Sequence, residues 1–300
     1  MISIIGSGLV GSSLAFLCAS NSLDDIVLLN LTKSKAVGEA LDISNAIPET
    51  SNITIRGTDN YSEITQSRII VIAASTGVYL KNRHEMVDAQ VKMIREIGGK
   101  IKANCTSPII LIISNPVDVL TYFFQKETSF SRDSIIGVAS SLDSKRFRYL
   151  LSKKLRVKNS QISDAYVLGE HGDSMVPIFS KTKINGKNIL EIIDSRQKEE
   201  ISKDLQNYWK SVRNLKNRSQ FGIAKNTFDV IESIIKNQPL SIPASVLLQG
   251  EYGEKDVCMG VPVRISPEGI IEIQSMNLDK FEQELLKKSA QTIRNNINSI

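Results

Sequence analysis

The stretch Ile2-Ser3-Ile4-Ile5-Gly6-Ser7-Gly8-Leu9-Val10-Gly11 decides the fold. Ile2–Ile5 is a short apolar run, the composition of a buried strand and too short for a helix. Three glycines follow at G-x-G-x-x-G spacing, and the periodicity of Leu9–Ala19 marks a helix. A glycine motif that ends a strand and opens a helix is the context in which it holds a dinucleotide. Gly6 permits the tight turn, Gly8 lets the backbone approach a pyrophosphate, and Gly11 lets helix and strand pack closely. Leu9 and Val10 open the helix, whose N-terminus is a ready seat for the anion. A glycine-rich turn without ligand is the plainer reading, and the strand–helix context weighs against it.

Outward from this motif the first half keeps one rhythm. Ile26–Leu29 reads as a strand, Lys33–Ala46 as a helix, and Ile69–Ala73 and Ile109–Ile113 as strands around the helical His84–Ala103. Ile135–Gly137 is one strand more. Such alternation predicts an α/β fold, a Rossmann-type doubly wound parallel sheet with helices on both faces.

The second half has a different texture. Ile162–Leu168 reads as a strand. Ile201, Leu205, Tyr208, Trp209 and Val212 fall at helical spacing, as do Phe221, Ala224, Phe228, Ile231 and Ile235. Ala244–Leu248 and Val257–Ile265 resemble antiparallel strands, and Leu278–Asn298 closes as a helix. The pattern predicts a dinucleotide-binding domain over 1–141 and an α+β catalytic domain over 142–300. No linker separates them, so a wide shared interface is expected.

The 300 residues, 41% apolar, suffice for a large core. A net charge of +5 and a pI near 9.0 raise the question of nucleic acid. The charges are spread along the chain, and the densest basic stretch, Arg213 to Arg218, has no interleaved aromatics, so nucleic acid is not expected as a partner. Cys18, Cys105 and Cys258 are far apart and odd in number, which argues against a disulfide scaffold or a metal site. With apolar runs too short to span a bilayer, the chain reads as cytoplasmic.

The position for the ribose is less regular. An acid is expected about 20 residues beyond the glycines, at the end of the second strand. Asn30 stands there, with Lys33 and Lys35 just beyond. Asn can bond a ribose hydroxyl, yet it lacks the charge that repels a 2′-phosphate. NAD is the expected cofactor, and NADP stays open. The lysines read equally well as a solvated helix start.

Of two histidines, His84 and His171, the second lies in Leu168-Gly169-Glu170-His171-Gly172-Asp173-Ser174, a glycine-flanked loop after a strand. Asp143 and Arg146 share a helix face at i, i+3. The carboxylate is suited to hold His171 in one tautomer, and the guanidinium to grip a substrate carboxylate. A surface ion pair is the plain alternative. Asn115, in Ser114-Asn115-Pro116-Val117-Asp118, follows a parallel strand, where ligands bind, and is placed to hydrogen-bond a substrate or cofactor oxygen; it reads alternatively as a helix N-cap.

Together these segments resemble the malate/lactate dehydrogenase family. The match runs from Ile2 to the last helix and is most specific in Ser114–Asp118, Leu142–Leu151 and Leu168–Ser180. The runs Ile135–Leu151, Leu168–Ser180 and Leu247–Gly253 look closest to the archaeal, lactate-dehydrogenase-like malate dehydrogenases. The resemblance implies that His171 carries the hydroxyl proton, Asp143 orients it, Arg146 binds the C1 carboxylate, and Asn115 steadies the reacting oxygen. It implies that Arg83 is the mobile-loop arginine that polarises the carbonyl, that Ser219 lines the substrate pocket, and that the chain forms a homodimer or homotetramer.

One loop breaks the pattern. Malate-type members carry G-I-P-R-x-P-G-x-x-R, whose first arginine takes the second carboxylate. Here the chain reads Ser75-Thr76-Gly77-Val78-Tyr79-Leu80-Lys81-Asn82-Arg83, one residue shorter, without the prolines or the first arginine. Lys81 can supply a charge, though as a point rather than a fork. Val78, Tyr79 and Leu80 suit an apolar pocket for a monocarboxylate instead. The loop reads as a lid with Gly77 as a hinge. Malate is the expected substrate, with lactate or another 2-hydroxy acid as the alternative. A non-catalytic NAD(P)-binding sensor would need none of His171, Asp143, Arg146, Arg83 and Asn115.

Overall fold

The computed structural model describes residues 1–76, 83–216 and 218–300, with the backbone alone for 83–86. Strands β1 (Ile2–Ile5), β2 (Ile26–Leu29), β4 (Ile69–Ile72) and β5 (Ile109–Ile112) are buried along their whole length. Burial on both faces explains why β2, β4 and β5 read as unbroken aliphatic runs; β1 is interrupted by Ser3, whose buried hydroxyl hydrogen-bonds with that of Ser67 at 2.6 Å. The four strands pair in parallel, with β3 (Ile55–Thr58) outside β2 and β6 (Ile135–Gly137) beyond β5. The covering helices are α1 (Leu9–Ser20), α2 (Lys33–Ser44), α3 (Arg83–Asn104) and α4 (Val117–Thr128).

Helix α5 (Ser140–Leu155) opens the second half. The expected division at 141/142 falls inside its first turn, where Ser140 to Asp143 are buried. Next come α6 (Ser195–Lys216) and α7 (Phe221–Ile235). The chain then returns to the sheet as β12 (Leu240–Gln249), β13 (Lys255–Ser266) and β14 (Gly269–Ile273), and ends with α8 (Lys280–Asn298). Among the described residues one nine-stranded sheet runs β14-β13-β12-β6-β5-β4-β1-β2-β3. The seam is antiparallel, Ser245 of β12 opposite Gly137 of β6. The two halves therefore share a sheet as well as an interface.

The strand expected over Ile162–Leu168 is broken in two. β7 (Ile162–Ser163) pairs with β10 (Lys183–Ile184), which also pairs with β11 (Lys187–Asn188). β8 (Val167–Leu168) pairs with β9 (Val176–Pro177) in a separate ribbon. Asp164 between them adopts φ +55°, which a strand cannot carry. β3 and β14 were not anticipated. β3 reads Ile-Arg-Gly-Thr and is only partly buried at the sheet edge, so it lacks the aliphatic signature of its neighbours. Gly57 within it is required by packing: a Cβ there would lie 2.2 Å from the α2 backbone at Ala36.

Candidate active site

At the end of β1, Gly6 takes φ +107°, and a Cβ on Gly11 would lie 2.0 Å from the Gly6 carbonyl oxygen. Both glycines are thus demanded by the turn itself. Gly8 differs. Among the described residues a Cβ there meets nothing within 4 Å, and Gly8 caps α1 with no side-chain hydrogen bond. The N-terminus of α1 consequently faces open space with its first N–H groups uncapped, flanked by exposed Leu9 and half-buried Val10. This cradle fits the pyrophosphate of a dinucleotide.

Asn30, just past β2, turns toward this loop. Its Nδ2 donates to Ser7 Oγ at 2.9 Å, and its Oδ1 accepts from the Thr32 N–H at 3.0 Å. The carboxamide therefore braces the glycine loop. Lys33 and Lys35 are exposed.

The second centre is buried. Asp143, on the first turn of α5, is 1% exposed. Its Oδ2 meets His171 Nδ1 at 2.5 Å, and its Oδ1 accepts from Arg146 Nη1 at 2.8 Å. A surface ion pair is thereby excluded. The Arg146 guanidinium also lies 5.5 Å from the Tyr208 ring centre on α6. Burial works to raise the Asp143 carboxyl, but the charges and hydrogen bonds of His171 and Arg146 hold it below its usual value. Burial works against the charged imidazole, yet the Asp143 charge and hydrogen bond keep His171 above its ordinary value. With Nδ1 taken by a carboxylate, Nε2 is the nitrogen left to exchange a proton.

The loop that carries His171 is held on several sides. Gly169 and Gly260 exchange backbone hydrogen bonds at 2.8 and 2.9 Å, tying the loop to β13. The Glu170 N–H donates to Ser289 Oγ on α8 at 2.8 Å. The His171 N–H donates to Asp118 Oδ2 at 2.7 Å. A cavity of about 80 Å³ adjoins His171, lined also by Val87, Pro116 and Asn296.

Asn115 is exposed at the carboxyl end of β5. Pro116 rather than Asn115 is the N-cap of α4, so the capping alternative falls away. Ser219 lies half-buried between α6 and α7, and among the described residues no hydrogen bond joins it to the His171 cluster. Lys81 lies outside the described residues, as does the side chain of Arg83. Two further residues join the site, Asp118 and Tyr208. Asp118 ends the Asn-Pro-Val-Asp segment, and the helical periodicity that places Tyr208 carries no sign of its contact with Arg146.

An open glycine cradle at the first strand of a doubly wound sheet, with a buried carboxylate–imidazole–guanidinium cluster, defines a dinucleotide-linked oxidoreductase. Comparison with known proteins narrows the class. Residues 1–137 match the NAD binding domain of lactate/malate dehydrogenase, and residues 140–300 match its alpha/beta C-terminal domain. The chain belongs to the lactate/malate dehydrogenase family. It is 34% identical to an L-lactate dehydrogenase of Lactococcus lactis subsp. cremoris, over 99% of this chain and 97% of that one. It is 37% identical to a malate dehydrogenase of Trichormus variabilis, over 99% of this chain and 92% of the relative. Its fold superposes on the malate dehydrogenase from Aeropyrum pernix with a TM-score of 0.95 at 31% identity, covering 100% and 98% of the two chains. Lactate and malate enzymes thus stand at similar distance.

Proposed function

We propose that this chain interconverts (S)-malate and oxaloacetate with NAD as cofactor. The Asp143–His171 pair beside Arg146 carries the reaction, the oxidation of a 2-hydroxy acid. When bound, the nicotinamide supplies or takes the hydride at substrate C2. His171 Nε2 takes the hydroxyl proton in oxidation and returns it in reduction. Asp143 fixes the tautomer and stabilises the imidazolium. Arg146 spends one edge on Asp143, and its remaining N–H groups bind the C1 carboxylate. Asn115 bonds the reacting oxygen, Arg83 polarises it, and Ser219 lines the pocket. Lys81 is the cation of the loop offered to the second carboxylate. The likeness of Ile135–Leu151, Leu168–Ser180 and Leu247–Gly253 to the lactate-dehydrogenase-like malate dehydrogenases supports the choice of malate.

A second reading, lactate and pyruvate, is favoured by Val78-Tyr79-Leu80 in place of the malate-type arginine loop. A panel of oxaloacetate, pyruvate and longer 2-oxo acids, each with NADH and NADPH, decides between them. Faster turnover of pyruvate than oxaloacetate would remove the malate assignment. For the cofactor, we infer NAD with tolerance of NADP, because Asn30 presents no charge to a 2′-phosphate.

A further inference from the structure

Three successive backbone N–H groups of the His171 loop are each bound by a different element. Gly169 is held by β13, Glu170 by α8 and His171 by α4. The third partner alone is a charged group. Asp118 stands on the first turn of α4 and is 3% exposed. Its Oδ2 accepts from the His171 N–H at 2.7 Å, and its Oδ1 accepts from Ser245 Oγ on β12 at 2.6 Å. Burying a carboxylate is costly unless it is well bonded, and a hydroxyl or carboxamide could satisfy an N–H with less desolvation. The position at a helix N-terminus offsets part of that cost.

We propose that Asp118 is a positioning residue for His171, fixing the backbone from which the imidazole projects while Asp143 fixes the ring. The inference rests on the reading of His171 as the proton carrier. A charge-assisted hydrogen bond is shorter and stronger than a neutral one, so the anchor is stiff. Its placement ties the catalytic loop directly to the end of the nucleotide sheet, since α4 follows β5. The acid on which proton transfer depends is thereby registered against the lobe that seats the cofactor.

Burial pushes the Asp118 carboxyl up to about 6, so above that pH its charge also reaches the ring. Together with Asp143 it favours the protonated imidazole, against burial and Arg146. The groups facing Asp118 are His171 and Glu170 on the loop, the Ser245 hydroxyl on β12, and Cys258 on β13, whose thiol is pushed up by burial first and then by Asp118.

The test compares Asp118→Asn and Asp118→Ala with the parent, using whichever 2-oxo acid turns over faster with NADH. The carboxamide keeps an acceptor for the His171 N–H and can donate to Ser245, so it preserves the anchor without the charge. Asp118→Ala is expected to lower kcat about 10-fold or more, with the KM for NADH little changed. Asp118→Asn is expected to recover most of that loss. Its basic limb of kcat/KM should move to lower pH, because removing a negative charge lowers the His171 pKa. A purely structural role would leave that limb in place. If Asp118→Ala fails to fold, Asp118→Asn still carries the test. A parental limb in Asp118→Asn overturns the inference, as does a parental kcat in a folded Asp118→Ala. His171→Asn, run alongside, separates the two readings: undiminished kcat there defeats the proton-carrier role itself.

Discussion

The glycine loop and the His171 loop both follow strands, and they are built in opposite ways. Around Gly8 the chain leaves room: among the described residues none beyond its chain neighbours comes within 4 Å of where a Cβ would stand, and no side chain caps the helix N-terminus. Around His171 almost every polar group is already taken by Asp143, Asp118, Gly260 or Ser289. Recognition of a large anion can wait for the ligand to complete the hydrogen bonds. Proton transfer cannot, because its geometry has to be in place before the substrate arrives. One site is prepared by vacancy and the other by constraint.

The sharpest way to break this comparison is His171→Asn. It should lower kcat by on the order of 10²-fold or more and leave NADH binding, followed by fluorescence titration, essentially intact. Loss of NADH binding instead would mean that the two loops are not separate devices. Substitution at the glycines should produce the reverse split. Gly8→Val is expected to weaken NADH binding about 10-fold or more with little change in Tm, since its side chain enters space left for the ligand. Gly11→Ala should lower Tm, by about 2 kcal/mol or more in stability, because its Cβ would lie 2.0 Å from a carbonyl oxygen. Equal Tm for the two variants would erase the distinction.

A subtler effect follows from the His171 pKa, which lies above its usual 6.5. Reduction of a 2-oxo acid needs the protonated ring, so the basic limb of kcat/KM should fall only as pH rises through the elevated value. Protonation of Asp118, whose carboxyl is pushed up to about 6 by burial, sets a separate limb on the acid side. Protonation of His171 also contributes to stability at low pH, a contribution lost as pH rises through its elevated pKa. A falling limb centred below 6.5 would contradict the Asp143 pairing. The smallest effect is expected at Asn30. Asn30→Asp should raise the preference for NADH over NADPH by a few-fold, read as a ratio of kcat/KM, by adding a charge near the 2′ position. An unchanged ratio would assign Asn30 to bracing Ser7 alone.

Much of this was legible in the residues because each feature announced itself locally. The inner strands β2, β4 and β5 of the parallel sheet are buried on both faces, so they are spelled in Ile, Val and Leu. The Asp143–Arg146 spacing is a helix spacing, and His171 sat between glycines. What escaped detection depended on distant neighbours. β3 is polar because it is an edge, and Gly57 is there to clear α2. Nothing local marks Asp118, because its partner is a backbone N–H 53 positions further along the chain. The break at Asp164 lies in a backbone angle that an apolar run does not reveal.

The single sheet has a consequence for how the chain is made. Strand β6 forms one margin of the parallel layer until β12 arrives, about a hundred residues further along the chain. While the protein is being synthesised, the first half emerges with that margin uncovered, a template for pairing with any extended segment nearby. Final closure of the layer awaits residues 240–249.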